Sequence, residues 1–500
     1  MKSTPSVRSN IIANFAGKGW IGVLSLAFVP IYIKLMGVEV YGLLGIFMSL
    51  GALLSLLDMG LSATLSRELS RLSVTENSAQ ESRNLVRTFE VIYWGIGIVI
   101  GAVVIILAPL ITKYWINSTN INSEIIEQAL LIMGVLLAFQ WPSSIYSGGL
   151  MGLQQQVALN TIRSVIVTIQ HGGAVLVLVY ISPSILTFFL WQSLVALLMT
   201  IVLAVWLWKS LPKSKFYVRF DQKLLVKNWR FTTGMIGISV VVVILTQLDK
   251  IILSKMLTLE MFGYYMLAFT VASALNSLVT PVFSALLPKF TQLVESEEEC
   301  ELVVLYHKGC QFVSVLVLPA AITIVFFSEE ILTLWLGDEI VVQNSYQILV
   351  LLMIGTALNA LMMLPYTLQL AHGWTKLAFY KNVVAVIVLG PLMIWMVQSY
   401  EGIGAAWAWI ILNLGYLIFE IPIMHRRLLK NEMGKWYRRD IALPMLMVTI
   451  IVLAAHSLFP AEASKLIMIL EVIGTLVLSI LVSAWLADHL NINMLKIKKS

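Results

Sequence analysis

The sequence predicts an all-α, polytopic membrane protein of about fourteen transmembrane helices, and three observations carry that prediction. Of the 500 residues, 59% are hydrophobic and only 12% are charged, against roughly 45–50% and 25% in a typical soluble domain. Mean hydropathy is +0.89. Apolar stretches that meet the roughly 20 residues a membrane helix needs recur along the whole chain, without the polar linkers that would separate soluble domains. These features exclude a soluble enzyme, a disordered chain and a disulfide scaffold. Cys300 and Cys310 are the two cysteines. They form neither a disulfide framework nor a metal site, and read as small apolar residues in or near a helix. A net charge of +6 is too mild to suggest nucleic acid.

The first span covers 11–33. It exceeds the roughly 7–15 residues of a signal-peptide core and no small-residue cleavage site follows, so it reads as a retained helix. The remaining spans are placed at 41–65, 89–112, 125–150, 157–180, 185–208, 232–254, 261–288, 309–327, 346–371, 377–397, 403–424, 441–459 and 466–487. Polar residues enter the fifth and the eleventh. With an inside N-terminus, 26 of the 33 basic residues fall in inner segments and four in outer ones. The positive-inside rule therefore places both termini in the cytoplasm. Outer loops are short, and there is no Gly-rich phosphate loop, no His-Glu-x-x-His and no Cys-x-x-Cys. A compact helical bundle remains, the form taken by secondary transporters and lipid flippases.

An internal repeat divides this bundle. Lys34, Glu39, Tyr41 and Gly42 match Lys255, Glu260, Phe262 and Gly263 at a constant offset of 221. Gly152 and Gly373 open a looser match at the same offset. Six spans separate the copies, so both run in the same direction, as in transporters built from parallel repeats related by an axis along the membrane normal. The expected organisation is an N-terminal lobe at 1–208, a basic cytoplasmic linker at 209–230, a C-terminal lobe at 231–430, and two added spans with a cytoplasmic tail at 431–500.

The stretch from Pro30 to Gly42, followed by Leu57, Asp58, Met59, Gly60, Leu61 and Arg67, resembles the opening of the polysaccharide flippases, the Wzx-type O-antigen transporters. Leu248, Asp249 and Lys250 with Gly263 and Tyr264 resemble the start of that family's second lobe. The family shares a superfamily with lipid II flippases and multidrug extruders. The resemblance implies two six-helix lobes around a cavity and alternating access. It implies an undecaprenyl-pyrophosphate-linked oligosaccharide moved from the cytoplasmic to the outer leaflet of a bacterial inner membrane. Many members have twelve spans, and fourteen is nearer to the lipid II flippases.

A charge at the bilayer centre costs about 2.5–3.5 kcal/mol on insertion scales, so each one calls for a partner, a cavity or a function. Lys18 and Asp58 lie twenty residues on either side of the turn near residue 38. They are expected at one depth as a pair, with Lys18 released to bind substrate pyrophosphate or carboxylate. Asp249 and Lys250 find no charged residue opposite them in the next span. That points to a cavity-facing role, with Asp249 as the ion-coupling site. Arg163 offers a planar fork suited to a diphosphate, with snorkelling to headgroups as the competing reading. His171 reads as a packing residue, Lys381 and Glu420 as a structural bridge, and the acidic run from Glu295 to Glu301 as a solvated loop.

The substrate-binding residues are thus expected to be Lys18, Asp58, Arg163 and Lys250. The leading function is a lipid-linked oligosaccharide flippase, a transporter and not an enzyme, with no cofactor. Its expected partners are its lipid-linked substrate, membrane lipids, and a polysaccharide polymerase and glycosyltransferases. A multidrug cation extruder and a lipid II flippase are the alternatives. Short outer loops disfavour a membrane glycosyltransferase, and the repeat with its intramembrane charges disfavours a scaffold.

Overall fold

The structure is a computed structural model that describes residues 7–58, 60–73, 75, 78–214, 216–458 and 464–497, with backbone only at 7–12, 15, 223–239 and 488–497. Lys2, Met59, Lys215, Lys498 and Lys499 lie outside the described residues, as do the side chains of Arg8, Asn10, Lys223, Lys227, Arg230 and Lys496. The helices in chain order are α1 (Val7–Ala27), α2 (Val29–Met36), α3 (Val38–Leu54), α4 (Leu61–Ser73), α5 (Ala79–Tyr114), α6 (Ser123–Gln140) and α7 (Ser143–Gly152). Then come α8 (Gln156–Tyr180), α9 (Ile185–Ser210), α10 (Gln222–Met256), α11 (Leu259–Glu295), α12 (Glu299–Phe326), α13 (Ser328–Leu336) and α14 (Glu339–Leu361). The last are α15 (Met363–Ala371), α16 (Thr375–Gly415), α17 (Ile421–Leu428), α18 (Met433–Lys435), α19 (Leu443–Ser457) and α20 (Lys465–Ile497). Among the described residues the only β-pairing is one isolated bridge between Asn117 and Thr258.

Among the described residues twelve segments are long and apolar enough to cross a membrane, and the chain is a multi-pass membrane protein. One of them, Thr375–Leu428, holds 54 residues, about 81 Å at 1.5 Å per residue, far more than a hydrocarbon core of about 30 Å. It breaks at Glu401, whose φ of 51° and ψ of −132° lie outside any helix. The sequence count of fourteen treats this segment as two spans and adds α10.

Several expected spans are jointed. The second was expected as one helix over 41–65. It is α3, a 3₁₀ turn at Ser55–Asp58 and the amphipathic α4, with Gly60 at φ +74° between them. The fourth breaks at Trp141–Pro142 into α6 and α7, and the tenth at Met362 into α14 and α15. Pro at the first turn of the following piece supplies a break at low cost in α2, where Pro30 follows the joint at Phe28.

Contacts divide the chain into two compact units, Met1–Gly263 and Tyr264–Ser500. α10, which the repeat assigns to the second lobe, counts with the first unit through its packing on α3 and α5. The repeat motif itself forms a self-complementary contact within the first unit. A Cβ on Gly42 would meet the Leu259 carbonyl at 2.1 Å, and one on Gly263 would meet the Val38 carbonyl at 2.3 Å. Val38 and Leu259 are themselves related by the offset of 221. Two copies of one motif therefore pack backbone to backbone about a local twofold, as isologous surfaces do, and only glycine leaves room at the crossing.

The core of the first unit is a cluster of α4, α5, α7 and α9 residues around Leu65, Leu69, Phe89, Tyr146 and Leu150. The linker after α9 is an ordered strap on the first turns of α5. Arg83 Nε donates to the Pro212 carbonyl at 2.7 Å, Arg219 N–H to Asn84 Oδ1 at 3.1 Å and Asp221 N–H to Thr88 Oγ1 at 2.9 Å. In the second unit α12 is the hub, packed by α14, α19 and α20.

Candidate functional site

In the first unit α1, α3, α6, α7, α8 and α9 surround a cavity of about 330 Å³. Its polar lining is Gln140, Ser143, Ser147, Arg163, Gln170 and Gln192; the rest is aliphatic or aromatic. The serines stand on α7 at i and i+4, and so on one face. Arg163 and Gln170 are two helical turns apart on α8, which also brings them to one face. Arg163 Nη2 donates to Ser147 Oγ at 2.9 Å, and Gln170 Nε2 donates to Gln192 Oε1 at 2.5 Å. No acidic residue lines the cavity, and among the described residues Arg163 makes no ion pair. A guanidinium has five N–H donors and no acceptor. With a single side-chain bond made, it is an uncompensated cation facing a polar cavity inside a hydrophobic bundle.

The other predicted residues fare differently. Lys18 is exposed on α1 and, among the described residues, forms neither a hydrogen bond nor an ion pair. It stands three residues before Ile21, which lines the cavity, and hence on the same helix face. The expected pairing of Lys18 with Asp58 is not made. The 3₁₀ turn at Ser55–Asp58 ends the regular register of that span before Asp58, and the carboxylate turns to α5. There it accepts from the Tyr93 hydroxyl and, at 2.8 Å, from Ser62 Oγ.

Asp249 and Lys250 were expected to have no charged residue opposite them in the next span; within their own helix they hold each other. Lys250 is buried, with 3% exposure. Its Nζ lies 3.0 Å from both Asp249 carboxylate oxygens and donates to the Thr246 carbonyl at 3.1 Å. Neighbours on a helix do not face one another, but the long lysine stem wraps back far enough to close the pair.

His171 packs as expected, stacked on Phe28 with Nδ1 2.9 Å from the Tyr32 hydroxyl. Lys381 Nζ and Glu420 Oε2 form the expected bridge at 2.5 Å. Outside the spans, Glu68 on α4 is held by Arg67 and Arg71, each at 2.9 Å. Burial works to raise its pKa, but the two guanidinium hydrogen bonds outweigh burial and hold it below the usual carboxylate range.

Sequence reasoning missed the amides. Gln140 and Gln192 stand within spans at single apolar-to-polar breaks, a signal present but not followed. It also missed a buried ionic cluster in the second unit. His307 on α12 has Nδ1 2.5 Å from Asp440 Oδ2 and Nε2 3.1 Å from Glu432 Oε2. Gln311 Nε2 donates to Asp440 Oδ1 at 2.9 Å. His307 and Asp440 are both fully buried. Two carboxylates of this unit, Glu420 and Asp440, sit in π-helical turns, Tyr416–Glu420 and Trp436–Ala442. A π turn shifts the following residues off the 3.6-residue register, and helical spacing did not place Asp440. Among the described residues no group of His, Cys, Asp and Glu is arranged to hold a metal ion.

A relative from Shigella flexneri, named for O-antigen transport, is 21% identical over 416 residues, which is 81% of this chain and 94% of that one. The amylovoran biosynthesis protein AmsL of Erwinia amylovora is 24% identical over 242 residues, 47% of this chain and 60% of that one. In fold, the chain is similar to the lipid II flippase MurJ in an inward closed conformation. The TM-score is 0.71 at 16% identity, with 96% of this chain and 98% of the other covered. An inward-facing multidrug transporter of the MATE family, in the MOP superfamily, gives a TM-score of 0.61 at 13% identity, with 85% and 96% covered. The family model described as "Polysaccharide biosynthesis protein" matches residues 7–294, more than half of the chain. The chain belongs to the polysaccharide biosynthesis protein family.

Proposed function

We propose that this protein is a flippase that moves an undecaprenyl-pyrophosphate-linked oligosaccharide, an O-antigen or other polysaccharide repeat unit, from the cytoplasmic to the outer leaflet of a bacterial inner membrane by alternating access. The observation that carries the reading is the Arg163 cavity: one guanidinium without a carboxylate, ringed by three amides and two serines. Amides and hydroxyls both donate and accept, which matches sugar hydroxyls, and the guanidinium supplies charge for an anion. Lys18, exposed on α1 one turn before the lining residue Ile21, is a second cation that makes no ion pair among the described residues. Both termini lie on the cytoplasmic side in this reading, where the basic residues of the inner segments also lie. The polymerase and the glycosyltransferases are the enzymes that would receive and supply the substrate.

A cation extruder would want free carboxylates. Asp58 is hydrogen-bonded to Tyr93 and Ser62, and Asp249 is paired with Lys250, so neither acid speaks for that reading. Asp249 keeps one further role open to test. A proton taken up there would release Lys250 from its pair, which is how Asp249 would couple an ion to the cycle.

The deciding test follows lipid-linked oligosaccharide in a strain lacking the gene. Inner-leaflet accumulation is expected, with relief by the wild-type gene and little relief by Arg163→Gln. Absence of accumulation, with normal surface polysaccharide, would sink the proposal.

A further inference from the structure

We propose that the Arg163 cavity reads a sugar that carries a carboxylate, of the uronic-acid type, and that the diphosphate of the substrate is held outside it at Lys18. This rests on the flippase reading and adds to it the chemical class of sugar. Four observations lead there. First, the cavity has one cation and no acid. A diphosphate carries a negative charge on each phosphorus, and one buried guanidinium leaves one of these unmatched in a low-dielectric bundle, where an unpaired charge is costly. A single carboxylate matches it one to one, in the planar bidentate geometry that arginine favours.

Second, the remaining polar wall is neutral. Gln170 and Gln192 already bond to each other at 2.5 Å, which fixes their amides as a preformed hydrogen-bonding edge. Ser147 orients the guanidinium at 2.9 Å. Such groups recognise ring hydroxyls, whereas a diphosphate would call for further cations. Third, size fits a terminal sugar and not an oligosaccharide. At about 330 Å³ the cavity lies at the small end of ligand pockets, which run roughly 300–1,000 Å³. Apolar residues such as Ile166, Val167, Val195 and Leu203 complete the wall and suit the apolar face of a pyranose ring. Fourth, the diphosphate has another place to go. Lys18 is exposed on α1, stands one helical turn from the lining residue Ile21 and makes no ion pair among the described residues. An ammonium binds phosphate as a point charge and needs no bidentate geometry.

The test uses the purified full-length protein in lipid nanodiscs and isothermal titration. The probes are a glucuronate-terminated oligosaccharide, its glucose-terminated counterpart and inorganic pyrophosphate. The glucuronate form is expected to bind at least about tenfold more tightly than the glucose form, since a site built to bond a charged group rejects the analogue that lacks it. Pyrophosphate is expected not to displace it. Arg163→Lys keeps the charge and loses the fork, and is expected to erase most of the preference, while Lys18→Gln weakens pyrophosphate binding and leaves the preference in place. Equal binding of the two oligosaccharides by the wild-type protein would overturn the proposal whatever the variants do. So would displacement of the glucuronate form by pyrophosphate. A glucuronate preference in a protein that fails the accumulation test would leave this cavity assignment standing and remove the flippase reading alone.

Discussion

Arg163 and Lys381 each lie on the fifth span of their half, three residues out of register at the repeat offset of 221, and their surroundings are opposite. Arg163 on α8 lines a cavity, touches Ser147 and has no carboxylate partner. Lys381 on α16 is bonded to Glu420 at 2.5 Å, and its ammonium lies 4.4 Å from the Tyr416 ring centre and 5.6 Å from that of Tyr366. Gln369 donates to the second oxygen of the same Glu420 at 2.8 Å. The first cation is open to a ligand; the second is closed by its own chain. The same contrast holds more widely. In the second unit His307 is likewise enclosed by Asp440 and Glu432. The first unit thus holds a cavity-facing cation with no carboxylate partner, and the second holds its buried charges in internal ties.

The comparison breaks first at Lys381. Replacing it by methionine leaves Glu420 buried and unpaired, a change that typically costs about 3–5 kcal/mol. A strongly lowered melting temperature of the detergent-purified protein is expected. Most of the loss should return in Lys381→Met combined with Glu420→Gln. A single variant as stable as wild type would show that the bridge carries no structural role. Arg163→Gln should behave in the opposite way. It removes a charge without stranding a partner, so the melting temperature should hold or rise while transport falls by about tenfold or more, the scale of one charge-assisted contact of about 1.5–3 kcal/mol.

Asp440→Asn sharpens the same contrast within the second unit. It weakens the contact with His307, and a loss of about 1–3 kcal/mol is expected in thermal stability, with little change in substrate binding. Asp249→Asn tests coupling. If Asp249 takes up the coupling proton, transport should lose its dependence on external pH, and a pH profile identical to wild type would rule that role out.

The smallest effect concerns Glu68. Its pKa is depressed in the folded state. Its contribution is therefore present above the ordinary carboxylate pKa of about 4.3 and is lost as pH falls through the lower folded value. Both arginines are half exposed, so the contribution is under about 1 kcal/mol. Glu68→Gln should flatten the acid limb of the stability curve slightly, as read by melting temperature between neutral and acid pH.

The parts of this account that were legible in sequence are those with a period or a count behind them. Apolar run lengths placed the helices, and the Lys34–Gly42 and Lys255–Gly263 match identified the repeat, whose glycines pack across one another. Arg163 was singled out because an arginine in an apolar span is costly. Lys381 and Glu420 were paired because the turn between their spans lies midway. The same reasoning failed for Lys18 and Asp58, since the 3₁₀ turn and Gly60 interrupt the second span. The pair of Asp249 with Lys250 was not read from the sequence, because a helix-face argument ignores how far a lysine stem can bend. Asp440 and His307 lie just outside their expected apolar spans, where charges carry no penalty, and the π turn sets the direction of the Asp440 side chain. Gln140 and Gln192 are uncharged, and a single amide in a span gives too weak a signal to choose it over packing.

The contrast between the two halves is tested most directly by complementation of a deletion strain, with outer-leaflet lipid-linked oligosaccharide as the readout. Arg163→Gln and the neutral pair Lys381→Met with Glu420→Gln would be measured side by side at matched membrane abundance. Loss of translocation in Arg163→Gln together with near-normal translocation in the neutral pair is the predicted result. Translocation that survives in Arg163→Gln and fails in the neutral pair would contradict the assignment of the open cation to the first unit.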